Sequence, residues 1–216
     1  MSRILVAPSI LSGDFAKMGE TVANVERWGA DLVHCDVMDG VFVPNITFGM
    51  PMIKAIRPYT KLPLDVHLMI VEPEKYVERF CDAGADYVTF HPEASKDPRA
   101  ALLKIKAKGV KCGLVVNPDK DFSLVEDYMD LVDMIVLMGV FPGFGGQSYI
   151  ESVSDNIAFF AKKIKESGRD ILLELDGGVT QQNAGKFRSL GVTALVAGSA
   201  TFKAEDPAEA IRVIGG

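Results

Sequence analysis

Histidine and cysteine are scarce in this chain, with three of each among 216 residues. Cys35, Cys81 and Cys112 are odd in number and contain no Cys-x-x-Cys pair, which argues against a disulfide framework or a thiolate zinc site. They read as reduced, buried thiols of a cytoplasmic protein. No apolar run reaches the ~18 residues that a membrane span requires. A basic surface is missing too. With 29 acidic and 23 basic residues the net charge is −6, which argues against a general nucleic-acid binder. No opening segment combines a basic start, an apolar middle and a small-residue cleavage site, because Ser2–Arg3 leads straight into a predicted strand. Linkers, low-complexity stretches and long charge blocks are absent. At 48% apolar and 24% charged, the composition is that of a folded protein rather than a disordered one.

What is present is an alternation. Eight short apolar or β-branched runs occur at 4–9, 32–37, 64–69, 87–91, 111–116, 134–138, 171–175 and 194–198, their starts about 27 residues apart. Amphipathic segments of helical period lie between them. Phe15–Trp28 follows Asp14, a candidate N-cap. Pro73–Ala83 and Pro98–Lys108 open on proline and stop before Gly84 and Gly109, and Ile150–Ser167 stops before Gly168. Strand–helix alternation means a parallel sheet, and eight units predict closure into a single (β/α)8 TIM barrel over residues 1–216. An open doubly wound sheet would place a glycine-rich turn after the first strand. Here that strand ends in Pro8–Ser9.

In such a barrel the chemistry sits at the C-terminal strand ends. Polar residues collect there: Ser9, His34, Asp36, Asp65, His67, His91, Asn117, Glu174 and Asp176. Side chains alternate along a strand. The set His34, Asp36 and Met38 therefore shares a face, as does Asp65, His67 and Met69, and as does Glu174 with Asp176. The intervening apolar residues suit the helix-packed side, so the polar set points inward. A buried carboxylate must be paired or metal-bound. His34, Asp36, His67 and Asp176 form a candidate site for one divalent ion, Zn2+, Fe2+ or Mn2+, with Asp65 and Glu174 placed to orient the ligands. The plainer reading is a set of separate polar residues bonded to neighbours or water.

Glycines form a second group. Gly143-Phe144-Gly145-Gly146, Gly177-Gly178 and Gly198-Ser199 follow the last three strands. They suit a backbone nest for a phosphate, with a short helix starting near Ser199, although ordinary tight turns would use the same residues. Neither nucleotide-binding fingerprint fits. A metal beside two carboxylates, with a phosphate anchor, suits proton abstraction next to the ketone of a sugar phosphate. Asp36 and Asp176 as paired acid and base would give epimerisation. Met38, Met69 and Met138 recur at strand ends, as a polarizable lining or as core filler.

The residues also resemble the ribulose-phosphate 3-epimerase family over nearly the whole chain. The matching segments are Ala7-Pro-Ser9-Ile-Leu-Ser, His34-Cys-Asp-Val-Met-Asp-Gly, Phe42-Val-Pro-Asn-Ile-Thr-Phe-Gly49, Pro63-Leu-Asp-Val-His-Leu-Met69, Pro142-Gly-Phe-Gly-Gly-Gln147, Asp176-Gly-Gly178 and Ala197-Gly-Ser199. The resemblance implies interconversion of D-ribulose 5-phosphate and D-xylulose 5-phosphate. It also implies metal ligation by His34, Asp36, His67 and Asp176, with Asp36 and Asp176 as acid and base. Ser9 and His67 would contact the sugar, and Gly143–Gly146, Gly177, Gly178, Gly198 and Ser199 the phosphate. Such proteins are usually homo-oligomers. Three departures from the family pattern stand out: Val41, then His91-Pro-Glu93, which resembles the variant of allulose-6-phosphate 3-epimerases, and the pair Gly139 and Phe141. The last two are expected to reshape the substrate channel, which keeps D-allulose 6-phosphate as the alternative substrate. A non-catalytic sugar-phosphate binder and a metal-free lyase are the other classes. The first would be free to lose one Asp of the pair. The second would carry a catalytic Lys at a strand end, where this chain has none.

Overall fold

The computed structural model describes residues 3–216, and Met1 and Ser2, the start of the segment read as lacking a signal peptide, lie outside them. Among the described residues eight strands alternate with nine α-helices. The strands are β1 (Leu5–Ala7), β2 (Val33–Met38), β3 (Leu64–Met69), β4 (Tyr87–Phe90), β5 (Lys111–Val116), β6 (Met134–Met138), β7 (Leu172–Asp176) and β8 (Ala194–Val196). The helices are α1 (Met18–Arg27), α2 (Met50–Ile56), α3 (Val77–Asp82), α4 (Pro98–Ala107), α5 (Ser123–Glu126), α6 (Val153–Ser167), α7 (Ala184–Leu190), α8 (Ser199–Phe202) and α9 (Pro207–Gly215). Every strand pairs in parallel with its sequence neighbour from β2 to β8, and β8 pairs with β1. The ring closes through a single parallel bridge, Ser9 to His34, where the His34 amide donates to the Pro8 carbonyl at 3.2 Å. This is the (β/α)8 barrel that the eight-fold alternation predicts.

Alternation sorts the side chains. Val33, Cys35, Val37, Leu64, Val66, Leu68, Leu173 and Leu175 face outward and join Val22, Val25, Ile53, Ile56, Val77 and Phe80 of the helices in one apolar layer. The barrel interior holds Ala7, Leu32, Tyr87, Val115, Met134, Val136, Met138 and Val196. No helix among the described residues is long and apolar enough to cross a membrane.

The structure trims several predicted elements. β1 stops before Pro8, which has no N–H to offer a ladder. β8 stops at Val196, because Gly198 takes φ −76° and ψ −89°. Asp14 caps as expected, accepting from the Ala16 amide at 2.9 Å, but the first turn, Phe15–Lys17, is a 3-10 turn and the α-helix starts at Met18. The segment 73–83 breaks at Tyr76 (φ −123°) into a 3-10 turn, Pro73–Lys75, and α3. Gly168 ends α6 at φ +65°, as its position predicts, though α6 itself begins at Val153.

Candidate active site

Strand pairing, rather than sequence proximity, assembles the polar floor. The β2–β3 register sets Asp36 beside His67 and His34 beside Asp65, and the β6–β7 register sets Met138 beside Asp176. All of these side chains point into the barrel and are buried. One donor atom from each of His34, Asp36, His67 and Asp176 falls within 4.8 Å of the others. His34 Nε2 lies 3.4 Å from Asp36 Oδ1 and 3.5 Å from Asp176 Oδ2. His67 Nδ1 lies 3.7 Å from Asp36 Oδ1 and 3.5 Å from Asp176 Oδ2.

These distances bear directly on whether a cation fits. Both imidazole nitrogens are buried without a hydrogen-bond partner. Ligands sharing one small divalent ion at ~2.0–2.1 Å stand ~3.3–3.5 Å apart, close to the four nitrogen–oxygen distances of 3.4–3.7 Å here. The other nitrogen of each ring is occupied. His34 Nδ1 is 2.6 Å from Asp65 Oδ2 and 3.6 Å from Glu174 Oε1, which fixes the ring with Nε2 toward the cluster. Burial disfavours a charge on His34, but Asp36, Asp65 and Asp176 outweigh it and hold the ring's pKa well above its ordinary value. Burial likewise pushes the Asp36 and Asp176 carboxyls up, and the two imidazoles bring both below the usual range. The cluster therefore calls for positive charge, which a divalent ion held by His34, Asp36, His67 and Asp176 would supply. Beneath, burial and Asp65 raise Glu174 well above a normal carboxylic acid.

A cavity of about 370 Å³ opens above this floor. Its walls include Ser9, Asp36, Met38, Met69, Met138 and Asp176, and it extends over Gly143, Phe144, Gly145, Gly146, Gly177, Gly178, Gly198 and Ser199. The two imidazoles close the floor without exposed surface. Ser9 donates its hydroxyl to Asp36 Oδ2, so that oxygen is held while Oδ1 faces the imidazoles. The three methionines are both cavity lining and buried packing, which joins the two readings of them. Gly178 (φ +71°) comes so close to Tyr149 that an added Cβ would sit 2.6 Å from its backbone. A side chain there is excluded on both counts.

The bracing residues are not apparent from the sequence. Asn45 Nδ2 donates to the Gly143 carbonyl at 2.9 Å, and Gln147 Nε2 donates to the Phe141 and Phe144 carbonyls at 2.7 and 2.8 Å. Asn183 Nδ2 donates to the Gly178 carbonyl at 2.8 Å. Two expectations need correction. Gly139 and Phe141 are not among the residues lining the cavity. Gly139 packs its backbone against Gly177, leaving no room for a Cβ, while Phe141 turns outward and is 51% exposed. Val41 is exposed as well.

Comparisons with known proteins agree with this geometry. The profile of the Ribulose-phosphate 3 epimerase family matches residues 5–202. The chain is 52% identical to the chloroplastic ribulose-5-phosphate-3-epimerase of Arabidopsis thaliana, covering 99% of this chain and 76% of that protein. It is 47% identical to the ribulose-phosphate 3-epimerase of Bacillus subtilis, covering 99% of each. Among solved structures, 3-hexulose-6-phosphate synthase from Salmonella typhimurium superposes with a TM-score of 0.70 at 20% identity, covering 98% of this chain and 97% of that one. KGPDC from Streptococcus mutans gives 0.71 at 14%, covering 99% and 96%. At those identities the two likenesses speak for the barrel alone.

Proposed function

Because the chain belongs to the ribulose-phosphate 3-epimerase family, we propose that it epimerises D-ribulose 5-phosphate and D-xylulose 5-phosphate at C3 by proton transfer between Asp36 and Asp176. The observation that carries this is the pair of carboxylates from two strands, converging with two unpartnered imidazole nitrogens at the foot of a glycine-rimmed cavity. Epimerisation needs a base at one face of C3 and an acid at the other. Asp36 accepts a hydroxyl hydrogen bond from Ser9, which favours its ionised form. One of the two carboxyls takes the proton from C3 while the other delivers one to the opposite face, and the roles exchange in the reverse direction. Proton loss from C3 moves charge onto the C2 oxygen, beside the C3 hydroxyl, as an enediolate. A divalent ion held by His34, Asp36, His67 and Asp176 would act as a Lewis acid toward those oxygens. Ser9 lies on the cavity wall where the sugar would sit, His67 is fully buried beneath that wall and off it, and the amides around Gly145, Gly146, Gly178 and Ser199 suit the phosphate. Met38, Met69 and Met138 keep the space between them apolar.

Free, buried Cys35, Cys81 and Cys112 support a reducing compartment, the cytoplasm. Self-association, and Zn2+, Fe2+ or Mn2+ as the ion, belong to the proposal on the family resemblance and the donor set. D-Allulose 6-phosphate is the less favoured substrate, because the relatives at 47–52% identity are ribulose-phosphate 3-epimerases and Gly139 and Phe141 do not line this cavity. The test is kcat/KM on both ketose phosphates. We expect the pentulose to be preferred by roughly 10–200-fold, the effect of one misfitting carbon. Preference for the hexulose, or turnover of neither, overturns the assignment.

A further inference from the structure

His91 is fully buried at the end of β4, and nothing in the mechanism above uses it. Its Nε2 lies 2.9 Å from Nε2 of His67, with the ring centroids 5.1 Å apart. Phe42 packs on its ring at 4.7 Å. Two nitrogens at that distance share one proton, so one must donate and the other accept. The far nitrogen of His67 settles which. His67 Nδ1 faces Asp36 and Asp176 at 3.7 and 3.5 Å and has no hydrogen-bond partner. If His67 carried its proton on Nδ1, that nitrogen would have no lone pair for a cation. With the proton on Nε2, the lone pair of Nδ1 is free and His91 receives the bond. His91 then carries its own proton on Nδ1, which makes no hydrogen bond; the nearest carboxylate oxygen, Glu93 Oε1, stands 3.9 Å away and Glu93 is held by Asn117 Nδ2 at 2.8 Å.

We infer that His91 is a positioning residue that fixes the tautomer of His67, accepting from its Nε2–H so that Nδ1 presents a lone pair to the metal cluster. It does for His67 what Asp65 does for His34, with a neutral acceptor in place of a carboxylate. The inference rests on the metal-site reading of the proposed function. Its test is the Zn2+ affinity of the full chain, measured by competition with a chromophoric chelator, for wild type, His91→Phe and His91→Gln. Phenylalanine keeps a flat ring against Phe42 but accepts nothing, while the glutamine amide oxygen can accept. Removing such an outer partner weakens metal binding by roughly 10–100-fold. We expect that loss in His91→Phe and its recovery in His91→Gln. In the Zn2+-loaded protein with 15N-labelled histidine, the Nε2–H proton of His67 should be protected from exchange in wild type and His91→Gln and lost in His91→Phe. Equal affinity in His91→Phe and wild type overturns the inference, as does a glutamine variant no better than phenylalanine. A wild type that binds Zn2+ but does not epimerise sinks the functional reading while leaving the His91 test intact. A wild type that binds no Zn2+ sinks both.

Discussion

Asp176→Asn is expected to fold normally and to lose epimerase activity by roughly 10²–10⁴-fold, the usual contribution of a positioned proton-transfer group. The change keeps the shape of a buried residue whose side chain faces the cavity. An amide in its place still contacts His34 and His67 but can neither give nor take the proton. The same change removes one of the two oxygens that face both imidazole nitrogens, so metal affinity should fall as well. Steady-state rates on ribulose 5-phosphate, read beside a circular dichroism spectrum and a thermal melt, check this. Activity within about tenfold of wild type in a folded variant removes Asp176 from the chemistry.

Exhaustive chelation is expected to abolish turnover, and added Zn2+, Mn2+ or Fe2+ to restore it. A second effect is independent of the substrate. An ion that binds only the folded chain at about 100 times its Kd stabilises it by about 2.7 kcal/mol. For a domain of this size that raises Tm by roughly 5–10 °C. The direction follows from the site: two carboxylates and two free imidazole nitrogens lie together in the fold and are dispersed when it unfolds. A chelated sample that still turns over, with a melt unmoved by metal, contradicts the metal reading.

Much of the site was legible because a barrel turns sequence period into geometry. Alternation alone places His34, Asp36 and Met38 on one face, and the apolar residues between them on the helix side, as found. Strand polarity places those ends at one rim. The register between strands is not legible in the same way. That Asp36 lies beside His67 depends on hydrogen bonds between β2 and β3, which no local pattern encodes. For the same reason His91 is visible as a strand-end residue while its bond to His67 is not. Four helices, α2, α5, α7 and α9, lie beyond those expected from the sequence. α2 and α7 have only seven residues each, and short helices are held by packing on the sheet more than by their own pattern. The loop braces Asn45, Gln147 and Asn183 act on backbone carbonyls, so only the folded loop shows their purpose. Gly139 shows the opposite error. A glycine in a motif position suggests a change to the substrate channel, yet it serves a close approach to the backbone of Gly177.

The central claim is that two different carboxylates handle the proton at C3. Its most direct test is the reaction run in D2O with protonated substrate, the product being examined by NMR at C3. Asp36 and Asp176 both border the cavity, so each can exchange its proton with water between turnovers. The acid that delivers to one face is not the base that took from the other. The account therefore predicts xylulose 5-phosphate carrying solvent deuterium at C3 from the first turnover. Product that keeps the original hydrogen would contradict it, since a single shuttling group would then suffice.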